Sequence, residues 1–219
     1  MKSSVVPDDA SQAETRRSLL EAAGEVFAEF GFRDATVREI CRRAGANVAA
    51  VNYHFGDKET LYIEVLRYAH GKALAKYPPL LDVEADAPPE KKLRAFIKSF
   101  LLRVFDKGPT SWHGRLMSRE MIEPTAALDS LVEERIRPMA GLLWQIVADI
   151  LGCPVNDDRV RYCSISVVSQ CVFYHHCRPV ISRLLPKQQS LDKADVDKLA
   201  DHIARFSLTA MKHLPKAKD

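Results

Sequence analysis

Between Thr36 and Lys58 the chain carries small and polar side chains of the types that contact nucleic acids. An asparagine amide can pair with adenine through two hydrogen bonds, and valine or alanine can touch a thymine methyl group. Tyrosine, histidine and lysine at the edge of such a group can hold phosphates, which fix register without reading sequence. The candidate DNA contacts are Thr36, Arg38, Asn47, Val48, Ala49, Asn52, Tyr53, His54 and Lys58.

Two short helices joined by a tight turn are needed to position these side chains. Thr36 followed three residues later by Glu39 is a capping box, which predicts a helix start. Gly45 can take the left-handed conformation that ends this helix, and Asn47 can cap the next helix, VAAVNYHF. The pattern predicts a helix-turn-helix whose second helix is short and small-sided enough to enter a DNA major groove.

This segment resembles the DNA-binding domain of the TetR family of transcriptional regulators. The match covers about residues 14–66, including FAEFGF and ATVREICRRAGANVAAVNYHFGDKETLY. An aromatic-Gly-aromatic step, a threonine cap, an Ala-Gly turn, a small-residue recognition helix and Lys-Glu-x-Leu follow one another in the family's order. Further along, SREMIEPTAAL and the Cys-Pro loop after it resemble the CecR-like branch of the family.

The resemblance implies a regulator that binds a palindromic operator as a homodimer. It also implies, most often, a repressor that a small hydrophobic effector releases from DNA. In this family the larger helical domain holds the effector between its helices. Aromatic and methionine side chains at helical spacing are usually core residues, but a few can line such a pocket. The candidate ligand-binding residues are Trp112, Met117, Phe173 and Tyr174.

Two apolar stripes near the carboxyl end are candidates for the dimer contact. They consist of Ile165, Val168 and Val172, and of Leu199, Ile203 and Phe206. Packing within one chain would account for both stripes. The resemblance instead implies that these two helices pair with their two-fold mates, and helix-turn-helix proteins commonly bind two half-sites as dimers. We expect a homodimer, and we expect a charge at Ile203 to separate it.

Cysteine and histidine side chains are concentrated between residues 163 and 177. Cys171 and His175 are four residues apart and share one helix face, a spacing that suits a metal ion. Free cysteines are, however, common apolar filler, and no second pair with ligand spacing occurs. The five cysteines form no CxxC, which predicts free thiols. We expect no metal and no cofactor, and a thiol- or metal-responsive regulator remains an alternative.

Composition narrows the class of protein. The 219 residues are 47% hydrophobic and 28% charged, which is typical of a soluble globular protein. The chain has no run of eighteen apolar residues, and its first residues lack the apolar core of a signal peptide. These features predict a cytoplasmic protein. The net charge of +3 does not by itself indicate a nucleic-acid binder, so the placement of the basic residues carries that argument.

An enzyme is the alternative from another functional class. A helical bundle with Glu, His and Cys side chains can be catalytic. The chain has no duplicated ExxH pair, no phosphate-binding loop and no GxSxG motif. We therefore expect a protein that is not an enzyme.

Helical periodicity along the whole chain predicts an all-α fold. It would comprise an N-terminal three-helix helix-turn-helix domain over residues 12–76 and a larger helical ligand-binding and dimerisation domain over 77–214. The boundary is placed at Pro78-Pro79 and the acidic, proline-containing stretch that follows. A long helix from about Pro124 to Leu151 is expected to kink at Pro138.

Overall fold

The computed structural model describes residues 9–106, 112–185 and 193–215, so the first eight residues considered above lie outside it. Every regular element in these ranges is helical, which confirms the predicted all-α class. The described residues form two compact units. The first comprises 9–72 and 112–132, and the second comprises 73–106, 133–185 and 193–215. Residues 112–132 pack in the first unit, whereas the sequence analysis grouped them with 77–214.

The first unit contains the predicted helix-turn-helix. Its helices are α1 (Asp9–Asp34), α2 (Val37–Ala44), α3 (Val48–Phe55), α4 (Lys58–Lys76, of which the end from Ala73 belongs to the second unit), α6 (Trp112–Ile122) and α7 (Ala127–Leu131). The buried face of α1 consists of apolar side chains at helical spacing, including Leu19, Ala23 and Phe27. At Gly31 the backbone leaves the helical conformation, with φ 81° and ψ 172°, so α1 consists of two helical segments joined by a kink at this glycine.

The second unit has one apolar core between long helices. They are α5 (Pro89–Val104), α8 (Arg137–Leu151), α9 (Asp158–His176) and α11 (Lys193–Lys212), with the short α10 (Arg178–Leu184) after α9. Leu93, Ile97, Val147 and Val167 are among the side chains completely or almost completely removed from solvent there. None of the described helices has the length and apolarity to cross a lipid bilayer.

The predicted long helix over 124–151 forms from Ala127 to Leu151, with one π-helical turn inside it. The chain forms α7, then a π-helix at Val132–Ile136, and then α8. Pro138 lies in the first turn of α8, two residues after the π-helical turn. Proline cannot donate a backbone hydrogen bond, and prolines and π-helical turns are both sites where helices become irregular. The irregularity lies in the turn that precedes Pro138.

The three residues of the apolar stripe predicted on α11 do not share one exposed face. Leu199 and Ile203 are buried in the core of the second unit, whereas Phe206 is 62% exposed. A charge at Ile203 would disrupt that core. A charge at Ile203 therefore does not test the dimer cleanly, and Phe206 is the better position for that test.

Candidate DNA-binding interface

Side-chain caps fix both helices of the helix-turn-helix. The backbone N–H of Glu39 donates to the Thr36 hydroxyl at 3.2 Å, which begins α2. Gly45 has the left-handed φ of 65° at the end of α2. The Asn47 side-chain oxygen then accepts from the N–H of Ala50 at 2.9 Å and begins α3. The predicted caps and turn are confirmed, but the Glu39 carboxylate binds Arg42 and Arg43 and does not complete the predicted capping box. Caps and turn place α3 directly after a sharp change of chain direction.

The α3 helix is held by one side and presents the other to solvent. Val51 and Phe55 are buried, and the Arg16 guanidinium lies over the Phe55 ring at 5.2 Å. On the other side Val48 is 48% exposed and Tyr53 is 72% exposed. Ala49 and Asn52 are also exposed. A short helix with this small-sided outer surface suits the major groove.

Tyr53 connects the far end of α3 to the start of α1. Its hydroxyl donates to the side-chain oxygen of Gln12 at 3.3 Å. Its ring packs edge-on against His54, with centroids 5.0 Å apart. The contact orients the exposed phenol beside α1, at the end of α3 opposite Val48. This position is compatible with the predicted phosphate role.

Asn47 has a structural duty as well as a predicted DNA contact. Its side-chain oxygen, Oδ1, accepts the capping hydrogen bond from the N–H of Ala50. A bidentate adenine contact uses both the oxygen and the amide nitrogen of an asparagine. In the capping conformation, the amide NH₂ is the part of Asn47 that remains available to a base.

Lys58 closes the end of α1, a role that the sequence analysis did not predict. Its ammonium donates to the backbone oxygens of Ala35 at 2.8 Å and Arg33 at 3.2 Å. It also lies 4.7 Å from the centre of the Phe32 ring. A cation at these carbonyls stabilises the negative end of the helix. The predicted phosphate contact of Lys58 stays a prediction.

The arginines of α2 differ in how far they are already paired. Glu39 binds both Arg42 and Arg43, and Arg43 also reaches Glu29. Hydrogen bonds from Arg42, which has the larger effect, and from Arg43 lower the pKa of Glu39 to about 2. Arg38 is exposed, and none of the described carboxylates forms an ion pair with it. Of the three arginines, Arg38 has the cation most available to a phosphate.

Helix α6 packs on α1 within the first unit. Trp112 is buried against Gly24, and a Cβ at that glycine would lie 2.4 Å from the Trp112 ring. Arg119 donates to the backbone oxygens of Ala28 and Glu29, at 3.2 and 2.8 Å, near the kink of α1. Trp112 is one of the ligand-binding candidates, and its packing on α1 was not predicted from the sequence.

Glu120 joins α6 to α4 through a buried hydrogen bond. The Tyr62 hydroxyl donates to Glu120 at 2.6 Å. Burial raises the pKa of Tyr62, and the hydrogen bond to Glu120 raises it further. The N–H and hydroxyl of Thr125 donate to the other carboxylate oxygen at 2.8 and 2.9 Å. Buried polar groups satisfied in this way specify one arrangement of helices. Together with Arg119, they fix α6 against the helices that support α3.

The four ligand-binding candidates are divided between the units. Trp112 and the half-buried Met117 belong to α6 in the first unit. Phe173 and Tyr174 belong to α9 in the second unit, where Phe173 is exposed and Tyr174 packs partly against the core. The two rings of this second pair lie 6.5 Å apart. Ligand binding by these four residues stays a prediction.

The cysteine and histidine segment contains a buried thiol and a partly buried imidazole. Burial raises the pKa of the Cys171 thiol to about 12 and lowers the pKa of His175. The His175 ring packs edge-on against Phe105 at 5.6 Å. Across the part of the chain that the structure describes, no three His, Cys, Asp or Glu side chains are grouped so as to hold a metal ion.

Replacing Lys58 by methionine should separate its two roles. Loss of the charged donor at two carbonyls should lower the free energy of unfolding by about 1–3 kcal/mol. If the ammonium also reaches a phosphate, the salt slope of DNA binding should fall by about 1 per monomer, on specific and random DNA alike. Lys72→Met, at an exposed position of α4, is the control. Unchanged stability would contradict the helix-end role, and an unchanged salt slope would contradict the phosphate contact.

A capped helix-turn-helix with an exposed, small-sided second helix defines this chain as a DNA-binding protein of the helix-turn-helix class. Residues 19–65 match the model of the tetR family of bacterial regulatory proteins. Residues 89–211 match the C-terminal domain of the HTH-type transcriptional dual regulator CecR. The chain belongs to the TetR family of transcriptional regulators, with a CecR-type C-terminal domain.

Relatives of known name agree with this assignment. The chain is 32% identical over 157 residues to the HTH-type transcriptional dual regulator CecR of Shigella flexneri, covering 67% of this chain and 69% of the relative. It is 27% identical over 215 residues to the HTH-type transcriptional repressor NicS of Pseudomonas putida, covering 94% and 95%. A solved transcriptional regulator from Rhodococcus has the same fold, with a TM-score of 0.62, 22% identity and coverage of 91% and 99%.

Proposed function

We propose that this protein is a ligand-responsive repressor. It binds a palindromic operator as a homodimer in the cytoplasm and leaves the operator when a small hydrophobic effector binds its helical C-terminal domain. The observation that carries the proposal is the exposed outer surface of α3, held on a capped and well-packed helix-turn-helix.

The amino end of α3 reads bases, and residues around it hold phosphates. Val48 and Ala49 are small, exposed and close to the start of the helix, so they touch base edges together with the amide of Asn47. Asn52 lies one turn further along the exposed side. The phosphate contacts are Thr36, Arg38, Tyr53, His54 and Lys58. This division follows the usual docking of a recognition helix, whose amino end enters the groove.

Exposed apolar side chains on α9 and α11 support the homodimer. Tyr162 and Ile165 on α9 and Phe206 on α11 are each more than half exposed. The two helices are neighbours in the second unit, where the Gln170 amide donates to the Ser207 hydroxyl at 3.2 Å. Apolar surface of this kind marks protein contacts when it is contiguous. Pairing with a second copy would cover it and would set the spacing of the two α3 helices.

NicS, which is similar to this chain over nearly its whole length, is named as a transcriptional repressor, and this supports repression. An effector acts only if it prefers the form of the protein that binds DNA poorly. A usual coupling of about 1–3 kcal/mol corresponds to a loss of operator affinity of about 5–150-fold. Of the proposed ligand-binding residues, Phe173 and Tyr174 lie in the C-terminal unit.

The thiol-responsive alternative has less support. Reactive cysteines have lowered pKa values and are accessible, whereas burial raises the pKa of the Cys171, Cys163 and Cys153 thiols. The relatives named above are regulators, which supports a protein without catalytic activity.

Binding to DNA from the promoter region of its own gene tests the proposal. The purified protein should shift a fragment with a palindrome and leave a scrambled fragment unshifted at the same salt concentration. A small molecule that binds the protein should release the fragment, and transcription from that promoter in vitro should then rise. Equal binding to both fragments would contradict operator recognition. Transcription that falls on release would contradict repression.

A further inference from the structure

Arg103 is a buried arginine in the last turn of α5, with 7% of its surface exposed. Its Nη1 donates to the backbone oxygen of Tyr77 at 3.0 Å and to the Ser99 hydroxyl. The Ser99 oxygen itself lies 2.6 Å from the backbone oxygen of Pro78. All these partners are neutral. One nitrogen of the guanidinium is therefore anchored, but these neutral partners leave the positive charge of Arg103 uncompensated.

No carboxylate pairs with Arg103 among residues 9–106, 112–185 and 193–215. The Cys171 thiol is close enough to interact electrostatically, but its own pKa of about 12 keeps it neutral at pH 7. Burial lowers the pKa of Arg103 to about 10, so the guanidinium is still charged at pH 7. An unpaired charge in a protein interior is strongly unfavourable. A counter-ion at this position would remove that penalty.

Two other cations of α5, Arg94 and Lys98, show what a paired cation looks like in this helix. Arg94 forms an ion pair with Asp201 of α11, and Lys98 forms one with Asp197 of the same helix. Both pairs are partly exposed, so solvent screens them. Arg103 is the more deeply buried cation and lacks such a partner within the described chain.

The geometry of the Arg103 side chain favours a planar anion. Because both recorded hydrogen bonds leave from Nη1, the edge formed by Nε and Nη2 remains unused. That edge presents two parallel N–H groups and matches the two oxygens of a carboxylate. The Phe100 ring lies 5.7 Å from the guanidinium carbon. On α9 the Cys171 side chain is apolar in character, so an anion here would have apolar neighbours.

We propose that the effector of this protein is an organic acid whose carboxylate pairs side-on with Nε and Nη2 of Arg103, while its apolar part packs among the helices of the second unit. This inference rests on the proposed effector response and specifies the chemical class of the effector. A neutral molecule of the same shape would leave the guanidinium unpaired and would bind more weakly.

Matched acid and amide pairs test the proposal on the full-length protein. Benzoate is compared with benzamide, and octanoate with octanamide, by titration calorimetry at constant ionic strength. At least one acid should bind about 30-fold or more tightly than its amide, the effect of a buried charge pair. Arg103→Met should abolish this preference. Arg94→Met, which removes an ion-paired cation from the same helix, should keep it.

Arg103→Lys guards against a variant that fails to fold, because it keeps the charge but offers no planar edge. Its preference for the acid should fall by about tenfold or more, and its unfolding midpoint without ligand should stay near that of the wild type. Amides that bind as well as acids, acids that do not bind at all, or a preference unchanged in both Arg103 variants would overturn the proposal. Operator binding is measured in parallel. A wild-type protein that does not bind the operator would contradict the proposed function. Release of the operator by neutral ligands alone would contradict only the proposal that the effector is an acid.

Discussion

Replacing Gly24 by alanine should lower the midpoint of thermal unfolding by about 3–9 °C, the effect of overpacking a core by one methyl group in a chain of this size. The new Cβ would lie 2.4 Å from carbons of the Trp112 ring. Trp112 is buried and cannot swing into solvent. Either α1 or α6 must therefore shift, and operator affinity should fall because α1 supports α3 through Arg16 and Phe55.

Gly71→Ala is the matched control for this change. A Cβ at Gly71, inside α4, meets nothing within 4 Å. The substitution should be neutral or should stabilise the protein by up to about 1 kcal/mol, since alanine favours the helix. Trp112→Phe removes the ring carbons that the new methyl group meets. In that background Gly24→Ala should cost little, and an equally large cost there would contradict the packing of Trp112 on Gly24.

Replacing Phe206 by glutamate should convert the protein from a dimer into a folded monomer at micromolar concentration. The side chain is 62% exposed on α11, so a charge there is harmless to one subunit but is buried without a partner in the proposed dimer. Loss of the second half-site contact should weaken operator binding by about 10²–10⁴-fold. Light scattering and a gel shift measure the two effects on the same sample.

Val155→Glu makes the same change at a side chain that is 41% exposed in the turn before α9, and it should leave the dimer intact. Ile203→Glu should instead unfold the second unit, because Ile203 is in its core. A wild type that is monomeric at micromolar concentration would contradict the proposed assembly. So would a Phe206→Glu variant that remains a dimer.

Local signals made the helix-turn-helix predictable from sequence. The caps at Thr36 and Asn47 and the turn at Gly45 each involve residues no more than a few positions apart, and the structure forms all three. Their geometry follows from side-chain hydrogen bonding and from the conformational freedom of glycine. Nothing distant in the chain has to be known to place α2 and α3.

Contacts between distant residues could not be predicted in the same way. The ammonium of Lys58 binds carbonyls that precede it by more than twenty residues. The packing of Trp112 on Gly24 joins two helices separated by most of the first half of the chain. The residues around Gly24 resemble those of any helix interior. Only the close approach of α6 explains why a residue without a side chain is needed at this position.

Periodicity located the apolar stripes of the last helices but did not distinguish which side chains face the core. Ile203 and Phe206 are three residues apart and both apolar, yet Ile203 is buried and Phe206 is exposed. A helix with a wide apolar surface can pack with either edge. The positions of the neighbouring helices determine which side chains are buried, and these positions cannot be inferred from the local sequence.

The central claim is that the amino end of α3 reads the operator. We would measure the binding of Val48→Ser to operator and random duplexes by fluorescence anisotropy over a range of salt concentrations. The control is Ala75→Ser, at an exposed position of α4. Loss of a good base contact should reduce the ratio of operator to random affinity by about 5–150-fold, the equivalent of about 1–3 kcal/mol. Random binding and the salt slope should not change. A ratio equal to that of the wild type, or an equal loss on both duplexes, would contradict the assignment of α3 as the recognition helix.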